Sequence, residues 1–279
     1  MNILVTGANG YIGHSIVDTL SVSHVVLQMQ NCTEYNVSED IFSLNLLDKK
    51  HINSFLKEDI IIDSIIHVAS KMASSKNVND MNILYDNLKM YEHIVLIAKH
   101  FKIKKIINFS SIAVYPNIDA SFNETSLVQP SVNGDALYGL SKFCGENILD
   151  YMLQKEDVKI INMRVGQVFS DDLRDDRLYI IMKKELQEFN TITVYGNGKR
   201  VSNFMHKKVL MQKILFFVNN NVFGIFNVGD ENLTYKEFAQ KIIKEFGDSK
   251  SKILFNVNGL KSKCYIDTEK LNQLEADYV

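Results

Sequence analysis

The chain has 279 residues, 46% hydrophobic and 23% charged, the proportions of an ordinary globule long enough for one large domain or two closely packed ones. With 31 Lys and Arg against 33 Asp and Glu, the formal net charge of -2 excludes a broad polybasic surface and argues against nucleic acid as the main partner. Three scattered cysteines, Cys32, Cys144 and Cys264, make neither a disulfide framework nor a CxxC pair, which fits a reducing compartment.

The first residues, Met1-Asn2-Ile3-Leu4-Val5, lack the basic start of a secretory leader. The apolar stretches Ile60–Ile62 and Ile65-Ile66 fall far short of the roughly 18 residues of a membrane span. The expectation is a cytoplasmic protein with no membrane partner.

Ile3–Val5 reads as a strand that stops at Gly7, and residues 11–20 carry Ile12, Ile16, Val17 and Leu20 at helical spacing. Between them lies Thr6-Gly7-Ala8-Asn9-Gly10-Tyr11-Ile12-Gly13, with glycines spaced GxxGxxG. Gly7 permits a tight turn, Gly10 lets backbone approach a pyrophosphate, and Gly13 lets the helix pack closely. The helix N-terminus then offers free N–H groups to phosphate. A glycine triplet between strand and helix predicts a dinucleotide site. Val25–Leu27 is the next strand. No carboxylate stands after it to grip a ribose diol; Gln28 or Gln30 can hydrogen-bond a ribose hydroxyl without repelling a 2′-phosphate. The choice between NAD and NADP stays open, with NADPH favoured.

Further elements follow in alternation: a helix at Asp48–Leu56, a strand at Ser64–Val68, and a long amphipathic helix at Asn82–His100. Next come a strand at Lys105–Phe109, a helix at 138–153 and a strand at Lys159–Met163. This alternation predicts an α/β fold, a parallel sheet covered on both faces. His67, ending an apolar strand, reads as a satisfied core residue. After about residue 165 the rhythm changes to helices at 172–189, 207–218 and 234–246, with strands at Ile192–Tyr195 and Phe223–Val228. The charged run Asp171–Arg177 reads as a solvated helix start. The histidines have no metal-ligand spacing, and no metal is expected.

Five Tyr/Lys pairs have YxxxK spacing: Tyr85/Lys89, Tyr138/Lys142, Tyr151/Lys155, Tyr179/Lys183 and Tyr195/Lys199. Tyr138 stands out because it opens a helix downstream of a strand ending in Ser110-Ser111, and carboxyl ends of parallel strands line the ligand crevice. Residues i and i+4 share a helix face, so Lys142 can set its ammonium beside the Tyr138 phenol. That charge is expected to lower the phenol towards neutrality and make it a general acid/base, with Ser111 hydrogen-bonded to the reacting oxygen.

The chain resembles the extended short-chain dehydrogenase/reductases of the NAD-dependent epimerase/dehydratase family. The residues carrying the resemblance are TGANGYIG (6–13), SIIHVAS (64–70), Asn87, SSIAVYP (110–116), YGLSKFCGE (138–146), RVGQVF (164–169), GNGK (196–199) and FNVG (226–229). It implies a Rossmann-type doubly wound sheet, with residues 1–165 binding NAD(P) and carrying Ser111, Tyr138 and Lys142 as catalytic residues. Residues 166–279 form a smaller, interleaved α/β substrate lobe. The implied cofactor contacts are Gly7, Gly10, Tyr11, Ile12, Gly13, Gln28, Asn45, Leu46, Ala69, Ser70, Asn87, Tyr138 and Lys142. The implied substrate contacts are Ser111, Gln167 and Arg200, and the implied substrate is a nucleotide-sugar.

Departures from the family pattern narrow the chemistry. The Asp-Glu pair of 4,6-dehydratases is replaced by Ile112-Ala113, which disfavours elimination of water. Gln167 stands for an Asn, Ser202 for a phosphate-binding Arg, and Asn45 for an Asp beside the adenine. The leading expectation is reduction of a keto group on a nucleotide-linked deoxysugar. A nucleotide-sugar 4-epimerase with retained NAD comes second, and a non-catalytic cofactor-binding module third. A homodimer is left open as the assembly.

Overall fold

The computed structural model describes residues 1–74, 76–173 and 177–278. The chain starts with β1 (Asn2–Thr6), α1 (Tyr11–Leu20), β2 (Val25–Asn31), β3 (Asn36–Ser38), β4 (Ile41–Leu44) and α2 (Lys49–Phe55). It continues through β5 (Ser64–His67), α3 (Asn82–His100), β6 (Lys105–Ser111), β7 (Ala120–Phe122), α4 (Ala136–Met152) and β8 (Lys159–Val165). Then come β9 (Gln167–Phe169), α5 (Leu178–Phe189), β10 (Thr191–Val194), β11 (Val201–His206), α6 (Lys207–Asn219) and β12 (Gly224–Val228). The last elements are β13 (Glu231–Thr234), α7 (Tyr235–Phe246), β14 (Lys252–Phe255), β15 (Cys264–Ile266) and α8 (Glu269–Asp277).

Eight strands form the main sheet in the order β12-β8-β6-β5-β1-β2-β4-β3. All neighbours are parallel except β3 and β4. Chain order runs outward from β1 through β2 and β4, then resumes on the other side at β5. The reversal point, between β1 and β5, is where a doubly wound sheet opens a ligand crevice at its carboxyl edge.

Successive strand residues face opposite sides and both sides are covered, so the central strands carry consecutive apolar residues, while polar side chains gather toward their carboxyl ends. Ile3, Val5, Ile66, Ile107 and Ile161 pack with Ile16 and Leu20 of α1 and Leu210, Ile214 and Phe217 of α6. Leu4, Ile65 and Ile106 pack on the other side with Phe55 of α2 and Tyr91, Ile94 and Val95 of α3. A separate core joins Tyr179, Met182 and Leu186 of α5 to Ile192, Val194, Phe204, Phe238 and Ile242. The chain returns from this region to the main sheet: β12 pairs with β8 from Gly224↔Ile161 to Val228↔Val165. Lys105 holds the end of α6, its Nζ donating to the carbonyls of Phe217, Val218 and Asn220 at 2.9–3.0 Å.

Two expectations need correction. β2 does not end at Leu27; Gln28 pairs with both Val5 and Ile41, so the strand runs on to Asn31 despite its polar residues. The described start of the charged run, Asp171–Leu173, is not helical, and α5 is described from Leu178. Asp171 accepts from Tyr179 Oη and Lys183 Nζ, and Asp172 from Lys207, so these acids bind side chains rather than cap a helix. Arg174, Asp175 and Asp176 of that run lie outside the described residues. Among the described residues, no helix is long and apolar enough to cross a membrane.

Candidate active site

The turn after β1 is built by its glycines. Gly7 has φ +68°, and a Cβ there would stand 3.0 Å from the Ala69 backbone. A Cβ on Gly13 would lie 2.0 Å from the Gly7 carbonyl oxygen, so only glycine lets α1 start directly on the turn. Gly10 differs: its Cβ would meet one atom, Gly7 O at 3.1 Å, and otherwise project into open space. The first turn of α1 has neither an acidic residue nor a side-chain cap, so its N–H groups remain free to receive an anion. This cradle, which a Cβ would fill, fits a dinucleotide pyrophosphate.

The turn opens into a cleft of about 960 Å³ along the carboxyl edge of the sheet. Gly7, Gly10, Tyr11, Ile12, Gly13, Asn45, Leu46, Ala69, Ser70, Ser111, Tyr138, Lys142, Gln167 and Arg200 all line it. Two of the predicted residues do not. Gln28 lies behind the cleft, its Oε1 accepting from Gln30 Nε2 at 3.2 Å, while Gln30 and Asn31 reach the lining. The cause is the extended β2, which moves the strand end three or four residues onward. Asn87 is buried behind the wall. Its Oδ1 accepts from Ser70 Oγ and Lys71 N, and its Nδ2 donates to Lys71 O and Ser141 Oγ.

Close packing brings Ser111 and Tyr138 to one wall. A Cβ on Gly139 would sit 2.1 Å from Ala113 O, so α4 rests on the turn after β6. Ser111 Oγ accepts from Ala113 N at 3.1 Å, and Ser141 Oγ donates to Tyr138 O at 2.7 Å. On the other side of α4, a Cβ on Gly145 would strike the Tyr91 ring at 2.1 Å, so α3 and α4 are in direct contact.

Lys142 is 2% exposed, its Nζ 5.6 Å from the Tyr138 ring centroid and 5.9 Å from that of Tyr91. Burial lowers this lysine to about 7, with Glu146 opposing. Burial also raises the Tyr138 phenol to about 12, against the hydrogen-bonding of Ser70, with smaller contributions from Asp135, Arg177 and Ser111. The expected lowering of the phenol by Lys142 is therefore reversed. Desolvation penalises both charged forms, and it outweighs the pull of the lysine.

Beneath the wall runs a buried polar column. Thr6 Oγ1 accepts from the Val68 and Ala69 N–H groups, so its own proton points to His67 Nδ1, 2.9 Å away. Burial drops His67 to about 3, and it stays a neutral core residue. Glu146 and Arg164, from two separate sequence motifs, meet as a two-pronged pair at 3.0 and 2.7 Å. Arg164 Nη1 donates to Tyr115 Oη, which lies 2.8 Å from Asn227 Oδ1.

The far end of the cleft belongs to the second core. Gln167 Nε2 donates to Ser202 Oγ at 2.9 Å and to Tyr235 Oη at 3.1 Å. Arg200 lies over the Tyr235 ring at 5.0 Å. Arg177, the residue before α5, lines the same space and was not singled out from sequence, since its placement depends on where α5 begins. Among the other YxxxK tyrosines, Tyr85, Tyr151 and Tyr195 are exposed, but Tyr179 is buried and lines the cleft, its phenol bound to Asp171.

Comparison with known proteins agrees with this architecture. Residues 3–229 match the model of the NAD dependent epimerase/dehydratase family. GDP-L-colitose synthase of Yersinia pseudotuberculosis is 25% identical over 266 residues, 88% of this chain and 82% of that one. Among solved structures, UDP-glucuronic acid 4-epimerase of Bacillus cereus, in complex with UDP-glucuronic acid and NAD, superposes with a TM-score of 0.80. It is 20% identical and is covered over 98% of this chain and 92% of that one. dTDP-glucose 4,6-dehydratase of Bacillus anthracis, in complex with NAD, gives 0.78 at 19% identity, covering 98% and 89%. The chain belongs to the NAD dependent epimerase/dehydratase family.

Proposed function

We propose that the chain is an NAD(P)H-dependent reductase acting on the keto group of a nucleotide-linked deoxysugar. The observation that carries this reading is that Ser111, Tyr138 and Lys142 line one cleft with the glycine turn. Reduction of a carbonyl needs a proton for the oxygen, and a protonated phenol is the state that supplies it. The hydride would come from a nicotinamide cofactor bound at the glycine turn. Tyr138 gives its proton to the carbonyl oxygen while the Ser111 hydroxyl hydrogen-bonds the same oxygen, yielding an alcohol. Lys142 then stabilises the phenolate until a solvent proton replaces the one transferred.

In this reading Gly7, Gly10 and Gly13 leave room for the pyrophosphate, and the first N–H groups of α1 hydrogen-bond it. Gln30, Asn31, Asn45 and Leu46 flank the adenosine, with no carboxylate among them, so either dinucleotide is accommodated. Gln167 and Arg200 meet the substrate nucleotide. Ile112 and Ala113 line the cleft where elimination of water would need acids. The division into residues 1–165 for cofactor and 166–279 for substrate belongs to the same reading, with α6, β12 and α8 packed on the first part.

A nucleotide-sugar 4-epimerase is the second reading. The likeness to a UDP-glucuronic acid 4-epimerase favours it, and it would use the same Ser111, Tyr138 and Lys142. Mass spectrometry of ligands that co-purify with the protein separates the two: tightly retained NAD supports the epimerase. Oxidation of added NAD(P)H by a panel of keto-sugar nucleotides supports the reductase. In either case Tyr138→Phe should lower kcat by at least about 100-fold, the usual worth of a positioned proton donor. Retention of most activity in that variant refutes the mechanism.

A further inference from the structure

Tyr11 contributes its backbone to the first turn of α1, but its side chain leaves the glycine turn and reaches the opposite side of the cleft. Its Oη is 2.6 Å from Oγ of Ser170, the residue after β9 and 159 positions along the chain. Ser170 Oγ also bonds the Asp172 carboxylate, and Asp172 is paired with Lys207 at the first residue of α6. The Lys207 ammonium in turn lies 4.7 Å over the Tyr11 ring. The four side chains form a closed cycle of contacts. Its proton order follows from chemistry: a carboxylate only accepts, so Ser170 donates to Asp172 and is left to accept from the Tyr11 phenol. Burial, with Asp172 and Asp171 nearby, raises that phenol to about 12, so it keeps the proton it must donate.

Both ends of the cycle border the cleft. Gly10–Gly13 line it from the glycine turn, and Val168, Phe169 and Leu173 line it from the segment that Ser170 and Asp172 belong to. A phenylalanine at position 11 would fill the same space, so packing alone does not call for the hydroxyl.

We propose that Tyr11 is a positioning residue whose hydroxyl latches residues 167–173 against the glycine turn and thereby sets the rate at which the dinucleotide leaves. The proposal rests on the reading above that the dinucleotide lies at the glycine turn. A latch made of hydroxyls and ion pairs suits a reductase, which must release its oxidised cofactor at every turnover.

The test compares wild type, Tyr11→Phe, Ser170→Ala and the double variant. NADH release is measured by stopped-flow displacement, and amide hydrogen exchange is followed across residues 167–173. Each single variant should release NADH about tenfold faster, the scale of one lost hydrogen bond to a charged network. The double variant should be no faster than the faster single, because both remove the same link. Exchange across 167–173 should quicken in both singles, a readout that needs no cofactor. Wild-type release rates together with unchanged exchange in both singles overturn the latch alone. A wild-type chain that binds neither NADH nor NADPH overturns the dinucleotide reading and the latch with it.

Discussion

Glu146→Ala tests whether the buried pair behind Tyr138 supports the fold. Glu146 and Arg164 are 2% and 3% exposed, and the carboxylate accepts from Arg164 Nε and Nη2 as well as from Ser110 Oγ. Truncation strands the guanidinium with Tyr115 Oη and the Glu124 carbonyl as its remaining acceptors. Removing one partner of a buried ion pair costs about 3–5 kcal/mol. At about 2.1 cal/mol/K per residue, 279 residues give an unfolding entropy of roughly 0.6 kcal/mol/K. The melting temperature should therefore fall by roughly 5–8 °C, read by circular dichroism at neutral pH. The double variant Glu146→Leu/Arg164→Met should recover most of the loss, because the cost lies in the unpaired charge rather than in the missing pair. A fall below about 2 °C in the single variant, or a double variant worse than the single, refutes the reasoning.

Lys142→Met should make the protein more stable while crippling it. Burial lowers the folded-state lysine to about 7 from 10.5, so between those values the unfolded chain binds more protons and stability rises with pH. Melting curves from pH 7 to 9.5 should show that rise in wild type and a flatter, higher curve in the variant, with turnover and cofactor affinity both reduced; an unchanged slope refutes the burial cost. Gly10→Val should fold but lose NAD(P) binding, because its side chain enters the cradle, whereas Gly13→Ala should lose stability as its Cβ meets Gly7 O; cofactor titration and melting separate the two effects. NADPH and NADH should bind within about 100-fold of each other, or 2.7 kcal/mol, since Gln30 and Asn31 carry no charge; a larger preference for NADH by fluorescence titration contradicts this.

The glycine turn was legible because its demands are local: a positive φ at Gly7 and a backbone contact at Gly13 each require a missing Cβ. The central strands were legible because burial on both faces puts consecutive apolar residues in each, as in Ile65-Ile66 and Ile106-Ile107. Ser111, Tyr138 and Lys142 came from YxxxK spacing and their place after a strand end, with the family resemblance agreeing, and the fold brings them to one cleft. The end of β2 was hidden because the apolar run stops at Leu27, and it is pairing with β1 as far as Met29 and with β4 as far as Asn31 that keeps the polar residues extended. β13 and β14 are short and largely exposed, so neither shows an apolar period. The protonation states of Tyr138 and Lys142 are properties of burial, which spacing along a helix does not report. Glu146 and Arg164 each stand in a family-like motif, but their pairing depends on contact between distant segments, as does the place of Arg177, and no local pattern reports either.

The return of β12 to the main sheet has a consequence for how the chain is made. The edge of β8 is apolar, with Ile160, Ile161 and Met163, and it has no neighbour on that side until residues 224–228 arrive. On the ribosome, synthesis runs from the N-terminus, so the whole stretch carrying β9 to α6 must be made while that edge stands open. An open, apolar strand edge is a template for pairing with another chain. Nascent chains that stall before residue 224 should therefore be the aggregation-prone species. Finishing β12 both completes the sheet and removes the hazard, which ties the solubility of the main sheet to the successful folding of the segment between β8 and β12.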